Sequence, residues 1–172
     1  MELQRYSKSI VAGDNPCTVL HAARTAVAAT ASYLIARSLH SPEAYWATIS
    51  TMIVMQSTLG AALPISLQRF VGTAIGAVVG AVAVNYFGSS IWMFGLAVFV
   101  IGLFCTLLQV ERSAYRYAGI TLAIVMLVTR ATSAWRIAVD RFLEVSLGIL
   151  VGLVLSAVWP EHNPNARESP KA

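Results

Sequence analysis

The chain has 172 residues, of which 57 % are hydrophobic and only 12 % charged. One domain fits that length, and so little charge argues against an ordinary soluble domain and for a bilayer as its surroundings. The net charge of +4 comes from basic residues set between apolar runs rather than from a patch with interleaved aromatics, which argues against nucleic acid as a partner and makes the arginines topology signals.

Residues 1–20 carry Arg5, Lys8, Asp14 and Pro16 and read as an N-terminal tail or a short interfacial helix. No short apolar core followed by a small-residue cleavage site precedes the first apolar run, so that run is expected to act as an uncleaved insertion signal. It covers about 21–39 and holds Ala28, Ser32 and Ala36 at i, i+4 and i+8, a strip along which another helix can approach. Pro42 ends the connection. The second run starts at Tyr45, turns polar at Gln56, Ser57 and Thr58, and is expected to break at Gly60 and Pro64.

The third run, Leu67 to Phe87, opens with Arg69 and carries Gly72, Gly76 and Gly80. At ~1.5 Å per residue it reaches about 31 Å, enough to cross the hydrocarbon core. Gly88, Ser89 and Ser90 turn the chain into a fourth run, about 91–108. Glu111, Arg112 and Arg116 then read as a charged loop, and the fifth run, Tyr117 to Val128, spans only about 18 Å before Thr129 and Arg130. The sixth, Trp135 to Trp159, holds Arg136, Asp140, Arg141 and Glu144 in its first turns and Gly148 and Gly152 beyond; Pro160 closes it, and 161–172 form a polar tail. Trp46, Trp92, Trp135 and Trp159, with Tyr45, Tyr86 and Tyr115, fall at run ends, as interfacial aromatic belts do.

Arg69 and Phe70, followed by Gly76 and Gly80, return seventy-two residues later as Arg141 and Phe142, followed by Gly148 and Gly152. The same offset lays the first three runs over the last three. The expected fold is therefore an all-α integral membrane protein with six transmembrane helices in 21–160, built as two three-helix repeats, about 21–87 and 91–159. Because three is odd, the second repeat enters from the opposite side, giving inverted topology. Eight of the twelve Lys and Arg fall on one side, which places both termini in the cytoplasm of a bacterial inner membrane.

In inverted-repeat carriers, interrupted spans at equivalent places point to the binding site, which here selects the second and fifth runs. Gln56, Ser57, Thr58, Thr129 and Arg130 are the substrate-binding candidates. Arg130 either faces a small organic anion, whose carboxylate matches a guanidinium fork, or snorkels to the headgroups. Arg69 and Arg141 line an anion path or anchor the starts of the glycine-strip helices. Arg136 with Asp140 and Arg141 with Glu144 have helical ion-pair spacing, and Glu144 is the acid deepest in a span, a candidate for proton coupling. Gly72, Gly76, Gly80, Gly148 and Gly152 are assigned to close packing between the two halves. Cys17 and Cys105 have no His or Cys at metal-ligand spacing and no nucleotide loop is present, so neither a metal, a cofactor nor an enzymatic activity is expected.

Tyr45-Trp46-Ala47, Gln56-Ser57-Thr58-Leu59-Gly60, Gln68-Arg69-Phe70-Val71-Gly72-Thr73 with Gly76 and Gly80, and the closing Trp159-Pro160 resemble the fusaric acid resistance or aromatic acid exporter-like membrane proteins. The resemblance covers about 20–160, and its most specific part is Arg-x-x-Gly-Thr-x-x-Gly following Gln-x-Thr-x-Gly. It implies an inner-membrane efflux protein for aromatic carboxylic acids and related weak acids. Larger members carry a sizeable cytoplasmic domain beyond the last span, so a homodimer with twelve spans is expected here. The alternative is a non-transporting scaffold or accessory subunit with other efflux subunits as partners, for which small-residue strips would also serve.

Overall fold

Six helices make up most of residues 19–55, 59–107, 109, 111–128 and 132–159, which the computed structural model describes. They are α1 (Val19–Ser38), α2 (Tyr45–Met55), α3 (Leu59–Phe87), α4 (Ile91–Leu107), α5 (Arg112–Leu127) and α6 (Ala134–Val158). Three of them, α1, α6 and the Ala62–Phe87 part of α3, are long and apolar enough to cross a membrane. Large apolar side chains such as Leu96, Phe99, Leu103, Leu143, Leu150 and Val154 point outward, and Trp92, Trp135, Trp159 and Tyr86 are exposed at helix ends. That inverted exposure is what a helical protein shows to lipid.

Two boundaries differ from expectation. The break at Gly60 and Pro64 does not occur: α3 starts at Leu59 and runs through both. Pro64 is its sixth residue, and the first four N–H groups of a helix have no intrahelical partner, so the proline removes only one bond beside an already open end. Arg112 and Arg116 lie in the opening turns of α5 rather than in a loop, which lengthens that helix to 16 residues.

Glycine decides which helices touch. A Cβ on Gly76 would stand 2.2 Å from the Ala118 carbonyl oxygen, and one on Gly72 would stand 2.3 Å from that of Ala114, so α3 lies backbone to backbone on α5. Farther along, Gly80 meets Val125. The contact positions climb together, and the two helices run parallel. On the other side of the molecule, a Cβ on Gly148 would stand 2.1 Å from the Ala47 carbonyl oxygen, and Gly152 meets Val54, so α6 runs parallel to α2 in the same way. Thr51 Oγ1 adds a hydrogen bond across this second contact, donating to the Gly148 carbonyl at 2.9 Å.

Between these pairs α3 and α6 cross antiparallel. Ala62 shares a core cluster with Val145 and Ile149, whereas Ala77 and Ala81 share one with Ile137 and Ala138. At the crossing the Phe70 and Phe142 rings touch, centroids 4.9 Å apart. The peripheral helices complete the bundle. α1 lies on α2 and α6 through its Arg24, Ala28, Ser32 and Ala36 face, and α4 lies on α5 and α3.

Replacing Gly76 or Gly148 by Ala is expected to force these helices apart and lower stability by about 1–3 kcal/mol. Gly102→Ala, whose Cβ would have its nearest neighbours on the Tyr115 side chain at 3.6 Å or more, is expected to be near neutral. Denaturation in detergent followed by tryptophan fluorescence distinguishes the two cases.

Candidate functional site

Arg69 and Arg141 flank the crossing phenylalanines in sequence and are both nearly inaccessible, at 6 % and 2 % exposure. Neither anchors a helix end. Arg69 is the eleventh residue of α3, about 15 Å along it, and Arg141 is the eighth of α6. Each guanidinium lies over an aromatic ring of the helix that the glycine contact holds alongside: Arg69 over Tyr117 of α5 at 4.9 Å, and Arg141 over Trp46 of α2 at 4.6 Å. Trp46, half-buried in the first turn of α2, thus stands at a helix end and also carries Arg141 on its ring.

The two arginines differ in their remaining partners. Arg141 pairs with Glu43, in the turn before α2, and with Glu144 Oε2 at 3.2 Å, one turn on in α6. The carboxylates are themselves held: the Glu43 backbone N–H donates to Glu144 Oε1 at 3.0 Å, and the Trp46 indole N–H donates to Glu43 Oε2 at 2.8 Å. The expected Arg136–Asp140 pair does not form among the described residues.

Arg69 makes no ion pair among the described residues. Its Nε and Nη2 donate to Ser50 Oγ at 3.3 and 3.1 Å, and Ser50 in turn donates to the Trp46 carbonyl at 2.9 Å. The sequence explains the difference. Seventy-two residues before Glu144 stands Gly72, and seventy-one before Ala114 stands Glu43, seventy-one being also the spacing of Ala47 from Ala118 and of Val54 from Val125. Where one half has two carboxylates, the other has Gly72 pressed against Ala114, with no room for an acid. A cation–π contact is worth about 2 kcal/mol when desolvated, and a hydrogen bond to a charged group about 1.5–3 kcal/mol. Those contacts offset part of the cost of burying Arg69, which has no carboxylate partner among the described residues.

Of the residues that the sequence singled out, the structure brings Arg69, Arg141 and Glu144 into one region around the crossing, with the five glycines placing the helices that carry them. Gln56, Ser57, Thr58, Thr129 and Arg130 lie outside the described residues. Sequence reasoning missed Ser50, Tyr117, Trp46 and Glu43 as partners of the arginines. It also missed Arg24, buried in α1, whose Nη2 donates to Ser156 Oγ at 3.3 Å. An arginine within an apolar run was the available signal for Arg24, and the offset that aligns Trp46 near Tyr117 was the signal for the rings.

Residues 29–155 match the family model described as fusaric acid resistance protein-like. The chain belongs to that family. It is 30 % identical over 149 residues to the uncharacterized transporter YdhK of Escherichia coli K12, covering 81 % of this chain and 22 % of that protein. It is 27 % identical over 147 residues to the inner membrane protein YeeA of the same strain, covering 83 % of this chain and 41 % of YeeA. The YdhK of Salmonella typhimurium is 28 % identical over 149 residues, again with 81 % and 22 % covered. The chain thus spans about a fifth of one relative's length and two fifths of another's. No solved structure matches it. Family membership and outward-facing apolar helices together make it a helical membrane protein.

Removing Arg141 or Glu144 strands a buried charge, so Arg141→Ala and Glu144→Ala are each expected to lower the unfolding free energy by about 3–5 kcal/mol. Arg69→Ala orphans no carboxylate and should cost clearly less. Chemical denaturation of the three purified variants in detergent checks this order.

Proposed function

We propose that this chain forms the membrane part of a secondary transporter for organic anions, aromatic carboxylic acids among them, in a bacterial inner membrane. The observation that carries the reading is Arg69: a buried guanidinium over Tyr117, hydrogen-bonded to Ser50, with no carboxylate to neutralise it among the described residues. A carboxylate can accept from such a group in fork geometry, and Tyr117 and the nearby Phe70 give an aromatic acid a ring to pack on. Membership in the fusaric acid resistance protein-like family and similarity to a protein named a transporter support the same class.

The six helices act in this reading as two inverted three-helix repeats with both termini cytoplasmic. The reciprocal contacts support it: Gly76 on Ala118 against Gly148 on Ala47, Arg69 on Tyr117 against Arg141 on Trp46, and Phe70 against its own counterpart Phe142. A homodimer supplies twelve spans. Gln56, Ser57, Thr58, Thr129 and Arg130, which follow α2 and α5 in the chain and lie outside the described residues, are kept as substrate-binding candidates on their sequence pattern alone. Arg141, Glu43 and Glu144 form the compensated counterpart that holds α2 to α6, with Glu144 the acid available for a coupled proton.

Counterflow of labelled aromatic carboxylates into proteoliposomes tests the proposal. Wild type should exchange them; Arg69→Ala should lower the exchange rate about 10–100-fold, the loss of one charge-assisted hydrogen bond or more, with the fold retained. Arg69→Lys, which keeps the charge without the planar fork, should fall between them. Absence of flux under every gradient, or unchanged flux in Arg69→Ala, overturns the reading.

A further inference from the structure

Outside the crossing, one groove joins charge to apolar surface. It lies between α4 and α5, encloses about 560 Å³, and is open to the surroundings. That size is within the ~300–1,000 Å³ of small-ligand sites. Phe99, Leu103 and Cys105 of α4 line its apolar wall, and Gln109, Arg112 and Tyr115 line the end where α4 gives way to α5. Gly102 shapes it: the Tyr115 ring lies 3.6–3.7 Å from the point where a Cβ would be. Gln109 stands at φ 51, in the left-handed region.

The side chains of Gln109, Arg112 and Tyr115 have no hydrogen-bond or ion-pair partner among the described residues, although all three line one groove. Arg116, one turn on and outside the groove's lining, donates to Ser113 Oγ at 3.3 Å, which leaves Arg112 as the basic side chain in the lining. The acid at this end, Glu111, is engaged by the Gln68 side-chain amide. Phe99 and Leu103 are 63 % and 49 % exposed in a membrane protein, so their side of the groove faces hydrocarbon.

We infer that this groove binds an anionic phospholipid, with the headgroup phosphate on Arg112 between Gln109 and Tyr115 and an acyl chain along α4 past Leu103 and Phe99. Charge complementarity at one end and apolar wall along the rest match a lipid better than a second copy of this chain. The groove is separate from the site proposed at Arg69.

Native mass spectrometry of the purified full chain tests this with phosphatidylglycerol, phosphatidylcholine and inorganic phosphate as probes. Wild type should retain phosphatidylglycerol in preference to phosphatidylcholine. Arg112→Ala should weaken phosphatidylglycerol binding about fivefold, the contribution of one basic side chain near anionic lipid, and leave phosphatidylcholine unchanged. Gly102→Leu, which fills the groove, should lose both, and Arg136→Ala, at the start of α6, should match wild type. Equal binding of the two lipids, undiminished phosphatidylglycerol binding in Arg112→Ala, uptake of inorganic phosphate alone, or a dimer that no longer takes lipid overturns the assignment.

Discussion

Where Gly76 meets the Ala118 carbonyl and Gly148 meets that of Ala47, two helix backbones approach so closely that no side chain fits between them. Lipid tails are as apolar as leucine, so in a bilayer such contacts hold helices together by close packing rather than by exclusion of water. They also fix rotation. With its glycines turned to α5, α3 sends Arg69 to the Tyr117 ring, and with its glycines turned to α2, α6 sends Arg141 to Trp46. The charged interior follows from where side chains are missing.

Similar frames then carry unlike chemistry. Glu43 and Glu144 complete Arg141, and the amide and indole N–H groups that hold those acids tie the turn before α2 to the middle of α6. Gly72 and Ala114 occupy the corresponding places beside Arg69, which keeps a hydroxyl and a ring but no acid among the described residues. One arginine thus works as a structural cation and the other as a candidate for binding. Small residues both close the helix contact and deny the second arginine a counter-charge.

Much of this was legible in the sequence, because apolar runs mark helices and a recurring Arg-Phe with spaced glycines marks equivalent positions. Two helix starts were not. Gly60 and Pro64 look like a break, yet near the start of α3 they cost little hydrogen bonding. Arg112 and Arg116 look like a loop only while hydropathy stands in for conformation, since arginine is a good helix former. Trp46 shows a deeper limit. A tryptophan at the end of an apolar run suits the interface equally well, and only the rotation of α2 imposed by Gly148 turns it toward Arg141. Ser50 was invisible for a similar reason: its partner Arg69 approaches from another helix.

The glycine contacts also join helices that are made at different times. α3 pairs with α5 and α2 with α6, so neither the first three helices nor the last three contain a complete pair. During synthesis from the N-terminus, α2 and α3 exist before their partners do. The strip at Gly72, Gly76 and Gly80 stays unfilled until the chain has passed Val125, and the Ala47 face of α2 waits until Gly152 has emerged. Closure of these two backbone contacts therefore waits on α5 and α6, the later partner in each pair.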